Sequence, residues 1–328
     1  MLSLLRKLRL TARLIHPGSS PRSLYKQAKH CVRALAWPAA TAEWFRLLEH
    51  PALAGVVRHS PRLYQKLQRP YLTCRLHTAQ RLEYLRQHYQ FILRHCSPAL
   101  IREIHSPTGK HLARLPATDQ GGYELRLMAS GFDKEGELAV CLCGDRGVVL
   151  FTVTFSVARC AAGGREIIIG GLQGNSFAND KQQIIALTRH WHGLRPKALL
   201  LFALHQLAAG WEVRRVRAVA DATHIFRHWR KRKHIASSYD AWWREAGGQL
   251  AEDGLFDLPT RFIPRDLATL KANKRPTYRH RYRMLADLAA QMAAHLKFPP
   301  PAQALFVETG RNAPLLETSA GHADQTFH

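Results

Sequence analysis

The central part of the chain alternates strand-like segments with turns, and this alternation limits the fold more than any other feature of the sequence. The segments are rich in Val, Ile, Leu and Phe, and turns such as GFDKEG, GDRG and CAAGGR separate them. Four segments in succession predict an antiparallel meander, at residues 123–130, 137–144, 147–158 and 166–174. Residues 211–221 predict a fifth strand, which the chain reaches through two helices.

The second of these helices, RPKALLLFALHQLAAG, is apolar on nearly every side, which predicts a buried helix. Residues before the strands carry apolar side chains at helical spacing, interrupted by proline-containing breaks. The predicted fold class is therefore α+β or α/β, with a helical N-terminal region, a mixed sheet and a basic C-terminal helix. We expect the boundaries to be 1–115 for the helical region, 116–260 for the core, 261–300 for the basic segment packed on it and 301–328 for a loose tail.

The charge balance narrows the choice of partners. Lys and Arg number 48 against 24 Asp and Glu, a formal net charge of +24. Such a field attracts nucleic acid, anionic lipid head groups or phosphorylated cofactors.

The six cysteines form no CxxC pair, and Cys141 and Cys143 lie two apart in a predicted strand. This pattern predicts buried thiols in a reduced compartment, and we predict no metal site.

The glycines near the end of the predicted strand IIIGGLQG raise the question of a ligand. Gly170, Gly171 and Gly174 permit a close approach by another group, and Gln173 lies among them. A strand-ending turn or bulge would explain the same glycines. Neither GxGxxG before a helix nor GxxxxGK[ST] occurs, so the fingerprints of nicotinamide and nucleotide-hydrolysing sites are missing.

A second candidate site is the turn GLRPK that opens the buried helix. Gly193 and Leu194 precede Arg195 and Lys197, and a basic turn at a helix N-terminus is suited to an anion. A corner between two helices with solvated charges is the alternative explanation. The order of meander, helix, basic turn, buried helix and strand resembles the GNAT acyltransferases, although their usual Q/R-x-x-G-x-G/A loop pattern is absent.

The GNAT resemblance implies acyl-CoA as the cofactor. In that superfamily a loop at this place cradles the pyrophosphate, so 193–197 would hold the phosphates while the glycines at 170, 171 and 174 admit the pantetheine arm. The acid–base groups would then lie near the fifth strand. His224, Tyr239 and Asp240 are the candidates, because histidine titrates near ambient pH and tyrosine can protonate a leaving thiolate. With 19 His in the chain, an ordinary surface or core role for His224 stays open.

Two basic clusters and the N-terminus are candidates for contact with anionic partners. The clusters combine cations with aromatic residues, which suits phosphate contact plus stacking, although a solvated cationic face is the alternative. Their candidate binding residues are Arg230, Lys231, Arg232, Lys274, Arg275, Tyr278 and Arg281. Leu4, Leu5, Leu8, Ala12 and Ile15 share a helical face, which predicts either docking on the protein itself or contact with a membrane surface.

Five stretches together resemble the VirK/YbjX family of Gram-negative bacteria. They are IGGLQG, HGLRPKALLLFALHQLA, YDAWWREAGG, FDLP and KANKRPTYRHRYRML, and the likeness spans roughly residues 25 to 295. The resemblance implies a part in virulence, envelope stress and resistance to cationic antimicrobial peptides. It supplies no catalytic residues, because none is established for the family.

We therefore expect a cytoplasmic protein, or one peripheral to the inner membrane, that transfers an acyl group to an envelope amine or hydroxyl. The alternatives are a non-catalytic module that binds anionic lipid, such as an envelope glycolipid, and a nucleic-acid-binding stress protein. The sequence does not decide the oligomeric state.

Overall fold

The computed structural model describes residues 2–117, 121–174, 181–226 and 238–299. The N-terminal region is helical, as the sequence predicts. Its α-helices are α1 (Leu2–Ile15), α2 (Pro21–Leu35), α3 (Pro38–Leu48), α4 (Ala54–His59), α5 (Thr78–His95) and α6 (Pro98–Ile104). Proline occupies the first turn of α2, α3 and α6, where its missing N–H removes no helical hydrogen bond.

A mixed sheet follows, with eight strands among the described residues. The strands are β1 (Lys110–Arg114), β2 (Glu124–Ala129), β3 (Leu138–Cys143), β4 (Val149–Arg159), β5 (Arg165–Gly174), β6 (Val213–Val219), β7 (Gln249–Leu250) and β8 (Leu255–Leu258). Their spatial order is β1-β2-β3-β4-β5-β6-β8-β7. The pair β5 and β6 is parallel, and every other neighbouring pair in this sheet is antiparallel.

The antiparallel part of the sheet differs from the predicted four-stranded meander. It has a fifth strand because β1 pairs with β2, although the sequence pattern placed residues up to 115 in the helical region. The hairpin of β7 and β8 was also missed. Both strands are too short for a periodic pattern to show, with two and four residues.

The parallel pair is joined by a helical crossover. β5 leads to α7 (Lys181–His190) and α8 (Pro196–Gly210), and α8 packs against β3, β4, β5 and β6 before the chain enters β6. Most of α8 is buried, as its apolar sequence predicts. The remaining helices are α9 (Tyr239–Glu245), after β6, and α10 (Arg275–Leu296), which packs on α8 and β1.

The N-terminal helices share one hydrophobic core with the sheet. A buried polar network ties them to it: Lys66 Nζ lies 2.6 Å from Glu137 Oε1, and Tyr89 donates to Glu137 Oε2 at 2.7 Å. Burial by itself raises the pKa of Glu137, but the Lys66 ammonium and these hydrogen bonds outweigh it and hold that pKa below its ordinary value. The carboxylate therefore stays charged although it is fully enclosed.

The sheet divides near its centre, and this division positions the site described next. β5 and β6 pair from Arg165 opposite Val213 to Ile169 opposite Ala218. Beyond that point, the described strands pair β5 only with β4 and β6 only with β8. Gly170 has no opposing residue in β4, so β5 is bulged where the two strands separate.

Candidate functional site: a buried polar cluster where the sheet divides

Glu135 occupies the space that the glycines of β5 leave open. A Cβ at Gly170 would lie 1.8 Å from the Glu135 carbonyl oxygen, and one at Gly171 would lie 2.1 Å from Glu135 Oε2. At Gly170 the neighbour is backbone, and only glycine can accept it so close. The two glycines thus leave room for the turn between β2 and β3. This turn carries Glu135, which is 1% exposed. Sequence reasoning missed Glu135, because an acid in the turn GFDKEG has the pattern of a solvated residue.

His224 faces this carboxylate from just beyond the end of β6. Its Nδ1 accepts a hydrogen bond from the Phe226 N–H at 3.3 Å, which places the ring proton on Nε2 in the neutral form. The distance from His224 Nε2 to Glu135 Oε1 is 3.6 Å. Within the described residues neither of these two buried atoms has a hydrogen-bond partner. Burial raises the pKa of Glu135, and His224 opposes that rise.

Tyr239, at the start of α9, completes the cluster. Its ring stacks on the His224 imidazole, with 5.0 Å between the centroids, and its hydroxyl accepts the Leu172 N–H at 3.3 Å. The hydroxyl therefore lies against β5 beyond the point where β6 has separated from it. Burial, followed by the charge of Glu135, raises the pKa of Tyr239, so the phenol stays protonated and can donate a proton.

Asp221 and Asp240 orient Tyr239. The Tyr239 N–H donates to Asp221 Oδ1 at 2.9 Å, and Ser238 Oγ donates to Asp221 Oδ2 at 2.7 Å. Asp240 Oδ1 in turn accepts the Asp221 N–H at 2.8 Å. These hydrogen bonds fix the first turn of α9 against the end of β6. Asp240, a predicted catalytic residue, thus accepts a backbone N–H here, and a catalytic role for it stays a prediction.

The structure therefore brings together five of the predicted site residues, and Glu135 joins them. They are His224, Tyr239, Gly170, Gly171 and Gln173, whose Nε2 lies 3.4 Å from Glu135 Oε2. Gly174 is placed elsewhere, since it ends β5 opposite Phe151 and is exposed. Gly170 and Gly171 contact protein rather than open space, and whether a cofactor also touches this strand stays a prediction.

The turn at 193–197 meets the C-terminal helix. The Arg281 guanidinium donates to the His192 carbonyl at 2.9 and 2.6 Å and lies over the Tyr278 ring, 4.2 Å from its centroid. Gly193 has a φ of +78°, and a Cβ there would lie 2.7 Å from Arg281 Nη2. The turn at 193–197, which was predicted to bind an anion, thus shares one surface with Tyr278 and Arg281 of the basic C-terminal helix.

A cleft of about 400 Å³ opens beside this turn, between α8, α9 and residues 259–265. Its cationic lining consists of Arg195, Arg261, Arg265 and Arg281, and its apolar lining includes Leu194, Ala198, Leu201, Phe202, Trp242 and Phe262. One carboxylate, Glu245, also lines it and pairs with Arg195. The cleft thus combines an excess of positive charge with apolar walls, which suits a phosphorylated ligand that also has an apolar or aromatic part.

Of the predicted cationic residues that the structure describes, Lys197, Lys274 and Arg275 lie outside the cleft lining. Lys197 is half-buried on α8, and burial, then Arg195, lowers its pKa. Arg275 donates to the carbonyls of Leu270 and Ala268, so it stabilises the start of α10, while Lys274 is exposed. The predictions for Arg230, Lys231 and Arg232 fall outside the described residues.

Comparison with known proteins agrees with the resemblance noted in the sequence. The family described as "Protein of unknown function (DUF535)" matches residues 19–294. The uncharacterized protein YbjX of Escherichia coli K12 is 35% identical over 271 residues, which is 81% of this chain and 82% of YbjX. The chain belongs to the VirK/YbjX (DUF535) family.

Two further VirK/YbjX relatives are more distant, and both are uncharacterized proteins of Haemophilus influenzae Rd. One is 29% identical over 144 residues, covering 44% of this chain and 47% of the relative. The other is 29% identical over 124 residues, covering 38% of this chain and 42% of the relative. These family members carry no assigned activity in their descriptions, so the function must be argued from the site itself.

The described residues also bear on metal binding and on membrane insertion. Within them, no group of three or more His, Cys, Asp or Glu side chains could hold a metal ion. No helix in those same ranges is long and apolar enough to cross a bilayer.

Cys141 and Cys143 are buried together on one side of β3, and burial raises the pKa of their thiols to about 11 and about 12.

Proposed function

We propose that this protein is an acyltransferase that takes its acyl group from acyl-CoA. The observation that carries the proposal is the convergence of Glu135, His224 and Tyr239 at the point where β5 and β6 separate. Glu135 Oε1 and His224 Nε2 face each other there without a hydrogen-bond partner among the described residues, and a buried polar atom in that state calls for an explanation such as a catalytic role.

The connection of elements supports a GNAT-like core. An antiparallel meander leads through a helix, a glycine-containing basic turn and a buried helix into a strand parallel to the last one. This resembles the GNAT order, in which a loop at the place of the basic turn cradles the pyrophosphate of acyl-CoA. This similarity concerns the fold alone, so the proposed chemistry rests on the side chains of the polar cluster.

The Glu135–His224 pair and Tyr239 each carry out one of the two proton transfers to or from the substrates. The acceptor amine or hydroxyl attacks the thioester carbonyl and gives its proton to the Glu135–His224 pair. The C–S bond then breaks, the phenol of Tyr239 donates its proton to the leaving thiolate, and the proton held by the Glu135–His224 pair restores the phenol. The raised pKa of Glu135 makes it a stronger base than usual, and the raised pKa of Tyr239 keeps the phenol protonated until the thiolate forms.

The arginine-lined cleft would hold the phosphates of the donor. It lies beside α9, because Trp242 and Glu245 line the cleft, and Tyr239 at the start of the same helix stacks on His224. An acyl-CoA with its phosphates among these arginines could direct its pantetheine arm past α9 to the divided sheet. The acceptor in this proposal is an amine or hydroxyl of the cell envelope, which the family resemblance suggests.

The test is calorimetric titration of acetyl-CoA and of a long-chain acyl-CoA into the full chain. Arg195→Ala/Arg261→Ala should weaken the affinity for both donors at least tenfold, since a hydrogen bond between an arginine and a phosphate is worth about 1.5–3 kcal/mol. Arg58→Ala/Arg102→Ala is the matched control, because it removes the same charge from exposed sites on α4 and α6. Absence of binding to the unaltered chain would refute the proposal.

A second candidate is binding of anionic lipid without catalysis. The apolar walls of the cleft favour it, because they would accept the first methylenes of a lipid whose phosphate sits among the arginines. In that case a short-chain lipid phosphate would bind and acetyl-CoA would not. The same calorimeter and the same arginine variants decide between the two candidates.

A further inference from the structure

The first two helices carry cationic side chains and no acidic ones. Residues 2–37 contain eight Lys or Arg and no Asp or Glu. The eight are Arg6, Lys7, Arg9, Arg13, Arg22, Lys26, Lys29 and Arg33. Lys7 alone among them has a salt bridge to a described residue, with Glu49. The charge of the α1–α2 hairpin is therefore almost entirely uncompensated by neighbours.

The inner faces of this hairpin are already occupied. Leu8 and Ala12 of α1 and His30 and Ala34 of α2 are at most 2% exposed. Thr11 Oγ1 and His30 Nε2 lie 3.2 Å apart between the helices. The face of α1 that carries Leu8 and Ala12, predicted from the sequence to dock on protein or on a membrane, thus packs against protein.

The outer face of α2 is apolar nonetheless. Leu24, Tyr25, Val32 and Leu35 are 52%, 65%, 69% and 40% exposed. Their spacing of one, eight and eleven residues from Leu24 places them on one side of a helix, together with the exposed Ala28. We call these five residues the α2 stripe. A monomeric soluble protein exposes single apolar residues freely, but a continuous row of them indicates a contact surface.

More large apolar side chains are exposed close by in sequence. Leu10 and Leu14, one turn apart on α1, are 61% and 53% exposed, and Trp37, just after α2, is 55% exposed. On α2 the cations Arg22, Lys26, Lys29 and Arg33 border one side of the stripe at helical spacing. The Lys29 ammonium lies 5.6 Å from the Tyr25 ring centroid.

This combination identifies the partner by its chemistry. A polyanion such as nucleic acid would satisfy the cations but not the α2 stripe. A second copy of the chain would cover the stripe but would bring eight like charges against eight. An anionic lipid bilayer satisfies both, because its head groups pair with the cations and its acyl region receives the apolar side chains.

We propose that the α1–α2 hairpin docks this protein on an anionic lipid bilayer. In this state α2 lies in the headgroup layer, with Leu24, Tyr25, Val32 and Leu35 inserted and the flanking cations among the phosphates. The inference is independent of the proposed acyl transfer, since the hairpin includes no residue of the polar cluster or of the cleft.

The experiment is co-sedimentation of the full chain with vesicles of phosphatidylcholine alone or with about 30% phosphatidylglycerol. The unaltered chain should bind the anionic vesicles and release them as salt rises. Tyr25→Gln/Val32→Gln should lower the partition coefficient roughly tenfold to a hundredfold, because two apolar side chains no longer insert. Val148→Gln/Ile185→Gln, at sites 47% and 43% exposed, is the matched control and should bind normally.

Three results would overturn the proposal. The first is failure of the unaltered chain to bind anionic vesicles, and the second is an equal decrease of binding in the test and control variants. The third is self-association without lipid that Tyr25→Gln/Val32→Gln abolishes, which would make the stripe an interface between copies. Circular dichroism checks that each variant is folded, and unchanged acyl-CoA titration in the test variant separates this proposal from the proposed function.

Discussion

Replacement of Gly170 by alanine tests the central packing feature of the site. The added methyl would lie 1.8 Å from the Glu135 carbonyl oxygen and 2.6 Å from its carbonyl carbon. Both are backbone atoms, so relief requires that β5 or the turn between β2 and β3 move. Gly170 does not have a left-handed backbone conformation, and the cost therefore comes from the contact alone.

The expected loss of stability is large for one methyl group. Overpacking of a closed core costs about 1–3 kcal/mol, and a clash with backbone belongs at the upper end, roughly 3 kcal/mol. For a chain of 328 residues this lowers the melting temperature by about 4 °C. Guanidinium titration followed by circular dichroism measures the change, and the slope of the transition shows whether unfolding stays cooperative.

Two further glycines calibrate the result. The methyl of Gly171→Ala would meet Glu135 Oε2, the end of a side chain that can rotate away, so roughly 1 kcal/mol is expected. Gly131→Ala meets nothing within 4 Å and should change stability by less than about 0.5 kcal/mol.

A double-mutant comparison separates the two clashes. Glu135→Ala removes the carboxylate but keeps the carbonyl, so it should relieve Gly171→Ala and leave the cost of Gly170→Ala unchanged. If Gly170→Ala is as stable as the unaltered chain, or if Glu135→Ala rescues it, the stated reason for this glycine is wrong.

Three other predictions follow from buried groups. Lys66→Met leaves Glu137 charged and unpaired in the core and should lower the free energy of unfolding by about 3–5 kcal/mol, as denaturant titration would measure. Adding Glu137→Gln should restore much of that loss, because it removes the unpaired charge. Stability should fall as the pH is lowered from about 6.5 to about 4, by at most about 4 kcal/mol per pH unit. The reason is that His30, His88 and His205 have pKa values near 6.5 in the unfolded chain, whereas burial lowers these values to about 4 in the folded protein. A flat profile of melting temperature against pH would contradict this. In the folded protein at pH 8 a thiol reagent should modify the exposed Cys74 within minutes and leave Cys143 unmodified until the protein unfolds, as mass spectrometry of the labelled peptides would show.

Local pattern was sufficient for the elements with strong periodicity. The strands β2 to β6, the buried helix α8 and the helical N-terminal region follow from alternation, apolar runs and proline breaks in the sequence. Five short motifs were sufficient to suggest the family, which comparison confirms. Strands β1, β7 and β8 escaped because a strand of a few residues gains its identity from the neighbour that it pairs with.

The sequence also pointed to His224 and Tyr239, because their side chains suit proton transfer and they come after the fifth predicted strand. It could not show that the two rings stack, since Tyr239 lies 15 residues further along and on a different element. Nor could it find Glu135, whose burial depends on contact with glycines of β5 far along the chain.

The sequence by itself determined that β5 ends in glycines, which permit a turn, a bulge or a close contact, and that residues 2–37 are amphipathic and basic. The tertiary structure decided what uses each feature. It filled the space beside Gly170 with the backbone of Glu135, and it turned Leu8 and Ala12 inward while leaving Leu24, Tyr25 and Val32 in solvent. The physical reason is the same in both cases: a local pattern sets which contacts a segment can make, and only packing between distant segments selects which of them it does make.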